Sequence, residues 1–235
     1  MNRLQKGLDL LLEKYSVKVK AEITNGEVKA DGEKIPLLPW ENERRFFELR
    51  EIVGSGKIGK VCTYRIGHTA RQDADLFKLL EREAGIAEFT LGSEIKEVFA
   101  IGNANSMNCI LEAENGCICT IELAATLERG EAIDKHEIIA QGGVACDRVV
   151  DTQMPQQSVY VLGKKEQTYT DTDNELFGYS QEEITLIRNA FAVAADIERR
   201  RENIRKKAHL ERVVEAAKCS LKECENCRVE ENGKN

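Results

Sequence analysis

The sequence predicts an α+β fold with a large, mainly antiparallel sheet. Apolar runs of strand length follow one another at hairpin spacing between residues 89 and 162, and glycines separate several of them. Helical sequence follows towards the C-terminus, an order typical of α+β proteins. The 235 residues are 42% hydrophobic and 32% charged, an ordinary composition for a globular protein with a substantial core.

The N-terminal part reads as a short extension to this domain. Leucines at helical spacing predict a helix over residues 1–15, and alternating apolar and charged residues predict a strand over 17–23. Asn25-Gly26 is a strong hairpin signal, so residues 27–30 should return beside that strand, and 35–39 form an apolar connector. We therefore divide the chain into an extension at 1–40, an α+β domain at 41–230 and a tail at 231–235.

Residues 54–59 spell G-x-G-x-x-G, the glycine pattern of a dinucleotide-binding loop. Such a loop needs a strand before it and a helix after it, because the pyrophosphate lies at the helix N-terminus. Here residues 40–53 have helical periodicity and residues 61–66 are β-branched and aromatic. The glycines are therefore predicted to end a helix and lead into a strand, and the acids Asp73 and Asp75 further on do not make this a nucleotide site.

The rest of the chain continues as a helix, a series of strands and two more helices. The helix is predicted to reach Gly85. Strands follow near 89–91, 95–103, 106–112, 117–124, 136–140, 144–149 and 158–162. After a polar loop at 168–174, the capping box at 180–183 predicts a helix from 181 to about 200, and a last helix covers 208–218.

Charge and hydropathy exclude several classes of function. The net charge of −7 argues against a nucleic-acid partner, since phosphate recognition requires clustered lysines and arginines. Basic runs at 199–201 and 205–207 alternate with Glu198 and Glu202, which predicts surface ion pairs instead. No apolar run is long enough to span a bilayer and no signal peptide is evident, so we expect a cytoplasmic protein without a membrane partner, whose eight cysteines are reduced.

Six segments follow one another in the order found in one enzyme family. They are LREIVGSGKIGK at 49–60, DADLFKLL at 73–80, IKEVFA at 95–100, NGCICTIE at 115–122, the stretch 134–162 and HLERVVEAA at 209–217. In that order they resemble the domain junction, active-site helix, two strands, C-terminal sheet and final helix of the Gfo/Idh/MocA family of NAD(P)-dependent sugar and polyol oxidoreductases. The resemblance covers about residues 40–230, which correspond to the family's C-terminal domain.

This resemblance implies a sheet with helices packed on one face and a homodimer formed through the open face. It also implies that the family's Rossmann domain is missing or reduced. Residues 8–19 resemble only the last helix and strand of that domain, and residues 32–36 are a poor echo of the Glu-Lys-Pro motif that supplies the family's catalytic lysine. We therefore expect no cofactor for the isolated chain, and NAD(P) only if a separate Rossmann subunit supplies it.

The family's catalytic histidine corresponds to Gln72, three residues before the matched Asp75. A glutamine cannot exchange a proton near neutral pH as an imidazole can. His68, four residues before Gln72, is a candidate substitute, although a histidine beside a helix start is more often a surface or capping residue. The catalytic candidates are thus His68, Gln72 and Asp75.

Candidates for substrate contacts come from the C-terminal sheet that the resemblance implies. His136 opens a predicted strand and is either a substrate contact or an edge histidine satisfied by Asp134 or by water. Arg148 and Asp151 lie in a polar loop beside Gly142-Gly143 and are likewise candidate substrate contacts, with a purely structural role as the alternative.

Cys219, Cys224 and Cys227 have the spacing C-x4-C-x2-C, and three thiolates could hold a metal ion. A fourth ligand, such as His209 or Cys146, cannot be assigned from the sequence, so the alternative is a helix end and tail with exposed thiols. Cys117 and Cys119 share one face of a predicted strand and should be buried free thiols.

Three hypotheses about function remain open. The chain is a stand-alone relative of the oxidoreductase C-terminal domain that binds or assembles without catalysing, or it is one subunit of a split oxidoreductase whose Rossmann domain is a separate chain. The third hypothesis is a redox or metal sensor that uses the C-terminal cysteines.

Overall fold

The computed structural model describes residues 2–24, 26–147, 158–162, 167–170, 173 and 175–229. The chain forms two compact units, one from residues 1–44 and 172–209 and one from residues 45–171 and 210–235. The domain boundaries at 40 and 230 stay a prediction, although the first unit contains 172–209 as well as the N-terminal extension. The predicted tail at 231–235 lies outside the described residues.

Five helices lie in the described part of the chain. They are α1 (Arg3–Lys14), α2 (Arg44–Gly54), α3 (Leu76–Leu91), α4 (Gln181–Ala195) and α5 (Ile197–Glu223), and a 3₁₀ turn at Pro39–Asn42 precedes α2. Among these residues, no helix has the length and apolar character needed to cross a membrane.

The first unit contains a three-stranded antiparallel sheet, in the order β1 (Ala21–Thr24), β2 (Glu27–Ala30) and β3 (Glu33–Pro36). Thr24 pairs with Glu27 and Gly26 has a φ of 79°, so the predicted hairpin is confirmed. Helices α1 and α4 approach closely at Gly7, where a Cβ atom would lie 2.5 Å from Cδ1 of Ile187. The main core of this unit consists of Leu8, Leu12, Ile23, Val28, Ala30, Ile35, Leu37, Ala190, Val193 and Ala194.

The second unit is built on a nine-stranded sheet. Its strands are β4 (Val61–Arg71), β5 (Ile95–Gly102), β6 (Ser106–Ala113), β7 (Ile118–Leu127), β8 (Ile133–Ala140), β9 (Gly143–Cys146), β10 (Ser158–Leu162), β11 (Gln167–Thr170) and β12 (Cys227–Arg228). They are arranged in the order β11-β10-β9-β8-β4-β7-β6-β5-β12. Among the described strands, only β4 and β7 pair in parallel, so the predicted α+β class with a mainly antiparallel sheet is confirmed.

The two faces of this sheet differ in burial. Tyr64, Ile66 and His68 alternate along β4 on the face that helices cover, which we call the inner face; helix α3 packs against β4, β6 and β7 there. The opposite, open face has polar residues together with exposed isoleucines, namely Ile101, Ile110, Ile118 and Ile133. The predicted packing of helices on one face is therefore confirmed.

The glycine-rich segment has the context predicted for it. Gly54 is the last residue of α2, and β4 begins at Val61. Gly56 and Gly59 have φ values of 68° and 76°, which glycine tolerates best. Because a helix precedes these glycines and a strand follows them, the segment is a helix-to-strand turn.

Two predictions in the first half of the chain were wrong. Residues 89–91 were expected to form a strand but end helix α3, which Gly92 terminates with a left-handed φ of 62°. Their apolar run is ambiguous, because a helix buried on most sides lacks the alternation that separates helix from strand. Residues 35–39 were expected to form an apolar connector, but Ile35 and Pro36 belong to strand β3. This strand has only four residues and ends in a proline, which weakens its strand signal.

Three further differences lie nearer the C-terminus. Residues 168–170 belong to β11 rather than to a loop. Helix α4 ends at Ala195 and not near residue 200, because Asp196 is extended and its side chain accepts the backbone N–H of Glu198 at the start of α5. The predicted last helix is the second half of α5, and Cys227 lies in strand β12 rather than in a tail.

Candidate functional site

A group of ionisable side chains lies on the inner face of β4 and β8. Asp134 and His136 alternate on β8 and therefore point to the same side, opposite His68 and Ile66 of β4. Helices α2 and α3 and the residue after β9 supply the other members. We call this group the buried ionic cluster; it comprises Arg45, His68, Arg82, Glu83, Asp134, His136 and Asp147.

His136 is the centre of the cluster and is fully buried. Its Nδ1 lies 2.7 Å from Oδ2 of Asp147 and its Nε2 lies 2.8 Å from Oε2 of Glu83. Burial alone would lower the pKa of His136, but the charges and hydrogen bonds of Asp147 and Glu83 outweigh it and raise the pKa to about 9. His136 is therefore an imidazolium at neutral pH and donates from both ring nitrogens.

Glu83 on α3 is also fully buried, and both of its oxygens have partners. Oε1 lies 2.6 Å from Nδ1 of His68 and also accepts from Arg82, while Oε2 faces His136. Burial would raise the pKa of Glu83, but the charge of Arg82 and the hydrogen bonds from His136 and His68 hold it well below its usual range. Glu83 is thus an ionised carboxylate.

Arg45 on α2 connects the two aspartates of the cluster. Its guanidinium makes two hydrogen bonds of 2.7 Å to the carboxylate of Asp134 and one of 2.9 Å to Oδ2 of Asp147. Burial would raise the pKa of Asp134, but hydrogen bonds and charge from Arg45 lower it, with a smaller contribution from Arg82. This bidentate geometry favours a fixed orientation of helix α2 against β8.

Apart from His68, the charges of the cluster balance. Three carboxylates, Glu83, Asp134 and Asp147, face two guanidinium groups and the His136 imidazolium. Potential ligand atoms of Asp134, His136 and Asp147 lie within 4.8 Å of one another. However, Arg45 already contacts both aspartates, so a metal ion would have to displace a guanidinium. The arrangement can hold charge and orient elements, and it does not favour a cation site.

The predicted catalytic candidates are not brought together as a catalytic group. His68 lies within β4 rather than beside a helix start, and its ring contacts Glu83. Gln72 is exposed, and its backbone N–H donates to the carbonyl of Leu127. Asp75 is the N-cap of α3, and its Oδ1 accepts from the backbone N–H of Phe77 at 2.9 Å. Their catalytic role stays a prediction.

Of the predicted substrate contacts, only His136 lies in the described residues. It is not an edge histidine, because β8 lies between β9 and β4. Its carboxylate partners are Asp147 and Glu83 rather than Asp134. Arg148 and Asp151 lie outside the described residues.

The cysteines behave in two ways. Cys117 and Cys119 are buried, as predicted. Near the C-terminus, the sulfurs of Cys219 and Cys227 and a carboxylate oxygen of Glu223 lie within 4.8 Å of one another. Neither His209 nor Cys146 belongs to this group, and Cys224 is exposed beside it.

Sequence reasoning missed Arg45, Arg82, Glu83 and Asp147 as members of the cluster. One signal was available for Glu83, which stands among Leu80, Ala84 and Ala87 on the apolar side of α3. A lone acid at such a position predicts a buried cationic partner. The partner itself comes from a strand 53 residues away, which the spacing of residues does not reveal.

No protein-family model and no curated protein matches this sequence. Solved structures do match its fold. Three of them are an oxidoreductase domain protein from Kribbella flavida (TM-score 0.64, 13% identity, 83% of this chain and 66% of that one), a levoglucosan dehydrogenase in complex with NADH and levoglucosan (0.65, 11%, 83% and 65%) and an NAD-binding oxidoreductase from Klebsiella pneumoniae (0.64, 15%, 83% and 65%).

These matches establish the fold. At the level of the fold, the predicted resemblance to Gfo/Idh/MocA-type oxidoreductases is confirmed. The matched fold is consistent with the predicted relationship to the C-terminal domain of these enzymes. The chain spans 66%, 65% and 65% of the length of the three structures.

Proposed function

We propose that this chain serves as a substrate-binding and oligomerisation domain of the oxidoreductase type and has no dehydrogenase activity by itself. The observation that carries the proposal concerns its histidines. The chain has three, and His68, His136 and His209 are only 7%, 0% and 6% exposed. A histidine that passes a proton to a sugar hydroxyl needs contact with the substrate and a pKa near neutral.

The two histidines of the buried ionic cluster fit a structural role better than an acid–base role. His136 carries its proton up to about pH 9 and uses both nitrogens on carboxylates. His68 directs Nδ1 at the ionised Glu83. At the position that corresponds to the family's histidine stands the exposed Gln72, whose amide does not titrate. Acid–base catalysis of hydride transfer therefore has no group in the expected place.

The turn at residues 54–59 supports the same conclusion for the cofactor. It leads from α2 into β4, so its glycines do not place a helix N-terminus at a pyrophosphate. The alternative is that the chain is one subunit of a split oxidoreductase and receives NAD(P) from a separate Rossmann subunit. A structural neighbour relevant to this alternative is the levoglucosan dehydrogenase in complex with NADH, of which this chain spans 65%.

We further propose that two copies associate through the open face of the sheet. Ile110 lies beside Phe99 of β5 and Thr120 of β7 on that face and is 48% exposed. Isoleucines grouped on a sheet face are typical of an interface. The charged side chains of this face pair within the chain, Arg65 and Lys135 with Glu137 and Lys96 with Glu112, so the exposed isoleucines carry the proposal.

The proposed lack of activity is tested by titrating the purified chain into NADH and NADPH and following the nicotinamide fluorescence. We expect no saturable change, whereas a complete Gfo/Idh/MocA-type dehydrogenase in the same buffer should give one. Saturable binding at micromolar concentration by this chain alone would contradict the proposal. If the split-enzyme alternative is correct, NADH binding appears only when a second, Rossmann-type chain is added, and it is lost when that chain is removed.

A further inference from the structure

The C-terminal end of α5 and strand β12 form a tight helix–turn–strand segment. Helix α5 ends at Glu223, and Cys224 takes a left-handed φ of 59° that reverses the chain. Three residues later the chain pairs antiparallel with β5, where Cys227 lies opposite Val98. The backbone N–H of Val229 then donates to the carbonyl of Lys96 at 2.9 Å.

Ser220 fixes the geometry of this turn. It is fully buried, and its hydroxyl accepts the backbone N–H of Ala100 at 2.9 Å and donates to the carbonyl of Glu225 at 2.5 Å. The backbone N–H of Cys224 donates to the carbonyl of Ser220 at 2.8 Å. These hydrogen bonds, none of which involves a sulfur atom, connect the end of α5 to β5 and to the turn before β12.

This turn brings two thiols and a carboxylate together. The sulfurs of Cys219 and Cys227 and an oxygen of Glu223 lie within 4.8 Å of one another. Ligand atoms around a tetrahedral zinc ion are about 3.5–4 Å apart, so small side-chain rotations would complete the geometry. Both cysteines are half-buried and Glu223 is exposed, which leaves the group accessible to an ion from solvent.

We propose that Cys219, Glu223 and Cys227 bind one thiophilic divalent cation of the zinc class, with water as the fourth ligand. The ion would join the end of α5 to strand β12 and so secure the strand that covers the edge of β5. This site is separate from the buried ionic cluster and does not depend on the proposed function.

The test uses the full chain, stripped with a chelator and kept reduced under anaerobic conditions. Titration with Co²⁺ should show one equivalent bound, with a sulfur-to-cobalt charge-transfer band and the intense d–d bands of tetrahedral coordination. Zn²⁺ should displace the cobalt and raise the midpoint of thermal unfolding, since an ion that binds only the folded chain stabilises it. Absence of a stoichiometric cobalt complex would overturn the proposal.

Variants identify the ligands. C219S and C227S should each weaken Zn²⁺ binding by more than about 100-fold, since even the loss of an outer-shell partner costs about 10–100-fold. The matched controls C62S and C224S remove exposed thiols outside the three-residue group and should keep wild-type affinity. Binding that survives in C219S and C227S, or that is lost equally in C224S, would overturn the assignment. So would a Cys219–Cys227 disulfide in the air-exposed protein with no metal uptake after reduction.

Discussion

Adjacent residues of strand β8 point to opposite faces of the sheet and therefore lie in two different electrostatic environments. Lys135 points to the open face, where its side chain is 50% exposed and its ammonium lies 3.8 Å from Glu137. His136, the next residue, points to the inner face, is fully buried and contacts two carboxylates within 2.8 Å. Lys135 and His136 are both cations, but their expected contributions to the free energy of unfolding therefore differ greatly.

The difference follows from solvent. An exposed ion pair gains about 0–1 kcal/mol, because water screens it and two flexible side chains must be ordered. Removing one partner of a buried pair leaves a charge without compensation, which costs about 3–5 kcal/mol. The inner face should therefore control the stability of the second unit, and the open face should control what the unit binds.

The largest expected effect comes from His136→Gln. The amide can donate to one carboxylate but carries no charge, so Glu83 and Asp147 lose their shared cation. We expect the free energy of unfolding to fall by about 3–5 kcal/mol. The control Lys135→Gln, on the opposite face of the same strand, should change it by less than about 0.5 kcal/mol. Urea denaturation followed by circular dichroism measures both, and equal losses would refute the contrast.

The pH dependence of stability should show the same cluster. The pKa of His136 is raised to about 9 in the folded chain, against about 6.5 when unfolded. Its contribution, on the order of 3 kcal/mol, is therefore complete below about pH 6.5 and is lost as the pH rises through 9. The lowered pKa values of Glu83 and Asp134 act in the opposite direction, since their contribution is present above about pH 4.5 and is lost on acidification.

Urea denaturation at a series of pH values checks this profile. Stability should be highest between about pH 5 and 6.5, and the decline towards pH 9 should flatten in the His136→Gln variant. A wild-type stability that is constant from pH 6.5 to 9.5 would show that His136 is not held as an imidazolium.

Much of the fold could be predicted because its signals are local. Alternation along residues 117–124 and 136–140, the Asn25-Gly26 hairpin and the Ser180 capping box each act over a few residues, and the structure has all of these elements. The elements that were missed lack such signals. Strand β12 is two residues long and exists because the chain reverses at Cys224 and returns to β5, where Ser220 bonds to Ala100.

The candidate site was harder to predict because it is assembled over long range. Asp134 and His136 were identified as neighbours, yet His136 contacts Glu83 from α3 and Asp147 beyond β9. Such pairings depend on which face each strand presents and on how the helices pack on the sheet, and neither is encoded in spacing along the chain. The β-branched residues at 61–66 predicted a strand that ends before His68, so His68 was expected near a helix start. Strand β4 instead continues five residues further, to Arg71.

The smallest expected effect on folding comes from the open face and gives the sharpest test of its role. Ile110→Lys places a charge on an exposed strand position, so the free energy of unfolding of the monomer should change by less than about 0.5 kcal/mol. If two copies pair through this face, the substitution occurs twice at the interface and should weaken the dimer by at least about 2 kcal/mol. Ile197→Lys, at a residue that is 60% exposed on the first unit, is the matched control and should leave association unchanged.

Light scattering over a dilution series distinguishes the outcomes. A wild-type chain that stays monomeric at high concentration would contradict the proposed dimer. An Ile110→Lys variant as dimeric as the wild type would show that the interface does not lie on the open face.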